Sequence, residues 1–133
     1  MRIADKLAER QTFSFEIFPP KGGLPLEEAY AIAGEMAADR PDWISVTYSA
    51  GGSGNSGNTV PIAASIERDL GVTALAHLTC LGSRRADVDG YVAQLAEAGI
   101  DNVLALRGDR APGREAIDFA HASDLISYLR YGQ

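Results

Sequence analysis

Phe13-Ser14-Phe15-Glu16-Ile17-Phe18 alternates apolar and polar side chains and runs into Pro19-Pro20. A period of two marks a β-strand, whose successive side chains point to opposite faces. One face carries Phe13, Phe15 and Ile17, the other Ser14 and Glu16. Similar runs follow at residues 43–48, 73–78 and 102–106. The four starts are 30, 30 and 29 residues apart. Between them lie stretches with helical spacing. The first places Leu26, Ala29, Tyr30, Ala33, Met36 and Ala37 on one face, with Pro25 near its start. Proline suits that position because the first helical N–H groups have no intrahelical partner. The second carries Ile62, Ile66 and Leu70, with Thr59 as the expected N-cap and Gly71 as the stop. The third begins near Ser83, carries Val88, Tyr91, Val92 and Leu95, and ends at Gly99. A fourth, with Leu125, Ile126 and Leu129, follows Ser123, and residues 1–10 suit a short leading helix.

A constant strand-then-helix unit predicts parallel strands with helical crossovers, in an open doubly wound sheet or a (βα)-barrel. The strand faces favour the barrel. Parity groups Ser14 and Glu16 with Ser45 and Thr47, with Thr73, Leu75 and His77, and with Val103, Ala105 and Arg107. The opposite parity is strongly apolar, whereas an open sheet covered by helices on both sides needs two apolar faces. Glu16, Thr47, His77 and Arg107 also fall at the C-terminal ends of their strands, where (βα)-barrels build active sites. Four units make half of an eight-stranded barrel, with no separate second domain expected in residues 1–133.

The 133 residues suffice for one domain with a hydrophobic core, and 46% hydrophobic with 23% charged residues is ordinary for a globular chain. No run of apolar residues is long enough to span a membrane, and the first ten residues are too charged for a signal peptide. Cys80 is the one cysteine, so no internal disulfide is possible and a cytoplasmic location is the default expectation. A net charge of −6 argues against a nucleic-acid partner.

Two motifs mislead. Gly52-Ser53-Gly54-Asn55-Ser56-Gly57 matches the dinucleotide pattern G-x-G-x-x-G, but it follows the second strand rather than the first. The ribose-binding acid that should come about twenty residues later is missing from residues 73–80. A plain βα loop is the simpler reading. Arg107-Gly108-Asp109 resembles an adhesion tripeptide, which an acidic chain without a signal peptide makes a poor reading.

Chemistry is better sought at the strand ends. Glu16, flanked by Phe and Ile, is expected to be partly desolvated, which favours the protonated carboxyl and suits a general acid. A buried glutamate paired with a nearby Arg or Lys is an equal alternative. His77 reads as a hydrogen-bonding group in a pocket. No second ligand stands near it at metal spacing, so no metal is expected. Cys80 reads as a small buried side chain. Arg107 offers a planar fork for phosphate or carboxylate, Gly108 lets the backbone approach a ligand, and Asp109 suits an N–H-rich heterocycle. A local Arg–Asp surface pair is the alternative.

Four blocks together carry a family resemblance. They are residues 13–21 (FSFEIFPPK), residues 44–48 (ISVTY), residues 77–80 (HLTC), and residues 104–109 (LALRGD) followed by Pro112-Gly113. Residues 122–125 (ASDL) resemble the start of the next helix. In order and spacing this set resembles methylenetetrahydrofolate reductase, over about half of that family's catalytic (βα)8 barrel. The resemblance implies FAD-dependent reduction of 5,10-methylenetetrahydrofolate to 5-methyltetrahydrofolate with NADH or NADPH. It implies that Glu16 supplies the proton that opens the folate ring to an iminium, and that Asp109 lies between flavin and pterin. It also implies FAD contacts at Thr47, Tyr48, Ala50, His77, Arg107, Gly108, Asp109 and Ala122. Ser49 stands where glycine is common, the loop before Thr59 lacks a frequent arginine, and His121 replaces a usual tyrosine.

Half a barrel would leave exposed edges at residues 13–18 and 102–106 and an uncovered inner face including Leu75 and Val103. The expectation is therefore a homo-oligomer, or pairing with a C-terminal half. A catalytically inactive half-barrel that binds flavin weakly or not at all is the alternative to an enzyme.

Overall fold

The strands β1 (Ser14–Ile17), β2 (Trp43–Val46), β3 (Ala74–Thr79) and β4 (Val103–Leu106) lie side by side in chain order, every neighbour parallel. These coordinates come from a computed structural model that describes residues 1–20, 25–48 and 58–132. Sequential order differs from the doubly wound sheet, whose order reverses at a switch point. Helices α1 (Ile3–Glu9), α2 (Leu26–Ala38), α3 (Thr59–Arg68), α4 (Arg85–Glu97) and α5 (Ala122–Tyr131) complete the chain. No described helix is long and apolar enough to cross a membrane.

The register assigns the faces. Phe15, Ile44 and Ala74 form one row, Ile17, Val46 and Ala76 the next. Ile17, Ile44, Val46, Ala74, Ala76 and Leu78 are all buried in one apolar cluster with Ala33 of α2, Ile62 and Ile66 of α3, Val88 and Leu95 of α4 and Leu125 of α5. The opposite face carries Glu16 and Ser45 in one row and His77 beside Leu104 further along.

β4 corrects the sequence reading. Val103 and Ala105 pair with Ala76 and Leu78 on the helix side, and Leu104 and Leu106 share the other face with His77 and Thr79. The expected parity, with Val103 and Ala105 beside His77, is reversed. Val-Leu-Ala-Leu has no polar alternation, so its faces are set by pairing with β3 and cannot be read from the strand itself.

Two helix starts also shift, while a third is as read. Thr59 is the first residue of α3 rather than its cap, and its hydroxyl donates to the Thr47 carbonyl at 3.0 Å. Asn58 takes the cap position, and its amide reaches the Pro20 carbonyl at 3.4 Å. α5 starts at Ala122, before Ser123. Pro25 directly precedes α2.

α1 crosses the N-terminal ends of the strands. The Ile3 N–H donates to Asn102 Oδ1 at 2.9 Å, and the Asn102 amide donates to the Met1 carbonyl at 3.0 Å. Further along, Lys6 Nζ donates to the Asp42 carbonyl at 2.7 Å. The Asp42 carboxylate takes the Arg10 guanidinium and the Phe13 N–H. One short helix thus links the chain just before β4 to the chain just before β2.

The register makes a mutational prediction. Leu78 is 1% exposed and Leu104 39% exposed. Leu78→Ala should cost about 2–5 kcal/mol in urea unfolding, the range for truncating a buried leucine. Leu104→Ala should cost much less. A larger loss at Leu104 would contradict the faces assigned here.

Candidate functional site

The chemistry-bearing residues gather at the C-terminal ends of the strands. Glu16 lies one residue before the end of β1, and Thr47 and Tyr48 follow β2 directly. His77 and Thr79 close β3, Arg107-Gly108-Asp109 follow β4, and Ala122 opens α5. Parallel pairing brings these ends to one side of the sheet because every strand points the same way. Ala50 and the glycine-rich motif at 52–57 lie outside the described residues.

Glu16 and His77 meet across the helix-free face. His77 Nε2 is 3.5 Å from Glu16 Oε2. The two strands are not neighbours. β2 runs between them, and there the Glu16 row carries Ser45, a small side chain. The His77 side chain is only 8% exposed, and its Nε2 atom is buried without a hydrogen-bond partner. Burial pushes the imidazole below its ordinary pKa, and the Glu16 charge offsets part of that, so His77 is neutral near neutral pH.

Glu16 itself departs from expectation. Its side chain is 48% exposed, and the flanking Phe15 and Ile17 sit on the other face of the strand. The desolvation that its apolar neighbours suggested is not supplied by them. The alternative, a buried glutamate paired with Arg or Lys, is also not met, since the group facing it is a neutral histidine.

His77 is held from behind. Tyr91 of α4 donates its hydroxyl to the His77 carbonyl at 2.9 Å, and burial pushes that phenol far above its ordinary pKa. The Tyr91 ring also meets Tyr48 edge-on at 5.3 Å between centroids. Tyr91 reads in the sequence as one more apolar residue of a helical stripe, so this role was not visible there. The Thr59 hydroxyl fixes the Thr47 carbonyl, joining the end of β2 to the start of α3.

After β4 the chain turns at Gly108, with φ +86°. A Cβ there would lie 3.1 Å from the Thr79 Cβ. Both the left-handed backbone and the close approach to β3 require glycine. Pairing continues past the strands, with the Cys80 N–H on the Leu106 carbonyl at 3.1 Å and the Leu81 N–H on the Arg107 carbonyl at 2.9 Å. Cys80 is buried, as read, and its thiol points at the Arg107 and His121 carbonyls at 3.7 and 3.6 Å. Arg107 and Asp109 are exposed and do not pair with each other. Arg107 Nε donates to the Gly108 carbonyl at 3.1 Å. At the start of α5, the Asp124 carboxylate accepts the His121 and Ala120 N–H groups at 2.9 and 3.1 Å, which hold it below the usual carboxylate range. Those bonds fix the backbone on which Ala122 sits. Among the described residues, no three His, Cys, Asp or Glu side chains gather as a metal site requires.

The comparisons with known proteins follow this geometry. A family model described as methylenetetrahydrofolate reductase matches residues 2–133. The chain is 34% identical over 140 residues to a probable methylenetetrahydrofolate reductase (NADH) of Oryza sativa subsp. japonica, covering 98% of this chain and 23% of that protein. It is 35% identical to methylenetetrahydrofolate reductase 1 of Schizosaccharomyces pombe, with the same coverage. A 5,10-methylenetetrahydrofolate reductase of Pectobacterium carotovorum is 33% identical over 125 residues, covering 94% of this chain and 41% of that protein. The chain thus spans well under half the length of each of these relatives.

Gly108→Ala should destabilise the chain by about 1–3 kcal/mol, the usual cost of a side chain held in a strained backbone region. Thermal or urea unfolding measures it. An unchanged stability would mean that the turn after β4 does not hold positive φ.

Proposed function

The chain belongs to the methylenetetrahydrofolate reductase family, and from that premise we propose that it carries the acid side of an FAD-dependent reduction of 5,10-methylenetetrahydrofolate to 5-methyltetrahydrofolate by NADH or NADPH. The observation that carries this reading is the convergence of Glu16 and His77 on a sheet face that no described helix covers, with the Gly108 turn set against Thr79 at the end of β3. The sheet is read as four units of a (βα)8 barrel, and sequential parallel order supports that reading.

The residues present fit a flavin. Gly108 leaves the backbone bare beside Thr79, in a space a Cβ would fill. Thr47, Tyr48, His77, Arg107, Gly108, Asp109 and Ala122 are the residues proposed to hold FAD, together with Ala50. When bound, the flavin supplies hydride transfer between the nicotinamide and the folate. Glu16 is proposed to give its proton to the leaving ring nitrogen of the folate, opening the bridging carbon to an iminium. The Asp109 carboxylate favours that cation electrostatically. Arg107 offers a fixed guanidinium fork to an anionic group of cofactor or substrate.

A second reading concerns assembly, and a specific observation favours it. β1 and β4 each keep one edge unpaired by any described strand, and Leu104 stands exposed on the helix-free face. Unpaired edges and apolar faces invite another chain. Two copies about a twofold, β4 of each beside β1 of the other, would close the ladder into eight parallel strands. In this reading the chain self-associates and binds flavin weakly or not at all.

Two measurements separate these readings. In a flavin-loaded protein, Glu16→Gln should slow folate reduction by more than ~2 kcal/mol in barrier terms while sparing flavin reduction by the nicotinamide, because only the folate step needs the proton. Stopped-flow flavin absorbance follows both halves, and equal loss in each removes Glu16 from the acid role. Sedimentation at micromolar concentration should give a species larger than a monomer. A monomer with a cooperative melt would overturn the assembly reading, and a melt that FAD raises would favour the enzyme.

A further inference from the structure

We propose that His77 is the positioning residue of Glu16: its neutral imidazole donates from Nε2–H to Glu16 Oε2, which fixes the carboxyl and leaves the other oxygen to carry the transferable proton. This deepens the proposed function and rests on its reading of Glu16 as the acid.

Three observations carry it. The two side chains come from strands separated by β2, and their atoms meet at 3.5 Å on the diagonal, since the Glu16 row runs through Ser45 to Leu75 rather than to His77. The β2 residue in register with Glu16 is Ser45, whose small side chain leaves room for that reach. Next, Nε2 is buried and has no hydrogen-bond partner among the described residues, a costly state for a polar atom with a carboxylate beside it. The half-exposed Glu16 side chain closes the remaining gap by rotating about its own single bonds. Finally, the imidazole is packed and its backbone is anchored. Tyr91 anchors the His77 carbonyl from the helix side, and the side chain is 8% exposed.

The protonation state follows from the surroundings. Among the described residues, Glu16 of β1 is the charged group that acts on the ring, and Tyr91 of α4 reaches only the main chain. Burial disfavours imidazolium, so His77 donates a hydrogen bond without competing for the proton. When Glu16 releases its proton to the folate nitrogen, one O–H bond breaks and one N–H bond forms. The carboxylate left behind keeps the hydrogen bond from Nε2. That bond strengthens as charge appears on the oxygen, which lowers the cost of giving up the proton.

The chain holds only two histidines, His77 and His121, so 15N-histidine NMR of the intact protein reports on the pair directly. Nε2 of His77 should carry the proton in the neutral form. Glu16→Gln removes the facing charge and should move the His77 titration down, while the His121 signals stay in place. A neutral His77 protonated on Nδ1, or a titration that ignores Glu16→Gln, overturns the proposal. In the flavin-loaded protein, His77→Ala should slow folate reduction, and adding it to Glu16→Gln should cause little further loss, since one residue acts through the other. Additive losses would also overturn it. If Glu16→Gln shifts the His77 titration yet leaves folate reduction untouched, the pairing stands and the acid role of Glu16 falls instead.

Discussion

The constraint on which the rest depends is one-sided connection. Four parallel strands in chain order need three crossovers, and parallel crossovers are right-handed almost without exception. Each step moves in the same direction along the sheet, so α2, α3 and α4 all fall on the same face. That face becomes the apolar core, with Ile44, Val46, Ala74 and Ala76 completely buried. The other face receives no helix. It can therefore carry Glu16, Ser45, His77 and Thr79, residues that a second helical layer would exclude.

The same constraint sets the price of that face at its edges. β1 and β4 each present an unpaired edge to whatever lies beyond the described residues. α1 braces the sheet at the opposite end, through Asp42 before β2 and Asn102 before β4. The bracing therefore sits at the strands' N-terminal ends, and the chemistry at their C-terminal ends. Asp42 serves three donors, the Arg10 and Lys6 side chains and the Phe13 N–H, so a single residue sets where the chain enters both β1 and β2.

Much of this was legible in the sequence because strand spacing and alternation are local signals. The four strands begin within a residue of their expected positions, and Glu16 and His77 fall where alternation put them. Legibility failed where a residue's role is set by a distant partner. Val103-Leu104-Ala105-Leu106 has no alternation, so only the pairing with β3 fixes its faces. Thr59 has the composition of a helix cap, yet its hydroxyl is drawn to Thr47, twelve residues earlier. Tyr91 and Leu95 look alike in a helical stripe, and only the His77 carbonyl distinguishes them. Gly108 was read as letting the backbone approach a ligand, whereas the neighbour that a side chain there would meet is Thr79.

Glu16 shows what a strand cannot supply by itself. A carboxyl that gives up a proton near neutral pH benefits from exclusion of water, and flanking apolar residues seem to offer that. In a strand, though, the flanking residues point away, and here Phe15 and Ile17 serve the helix-side core. Dryness on the Glu16 face has to come from whatever lies over that face. The chain contributes direction instead: Ser45 is small beside Glu16, the buried His77 ring stands 3.5 Å from the Glu16 carboxylate, and Tyr91 anchors the His77 carbonyl. Orientation is thus built into the sheet itself, while the exposed side of the Glu16 carboxyl is left to solvent.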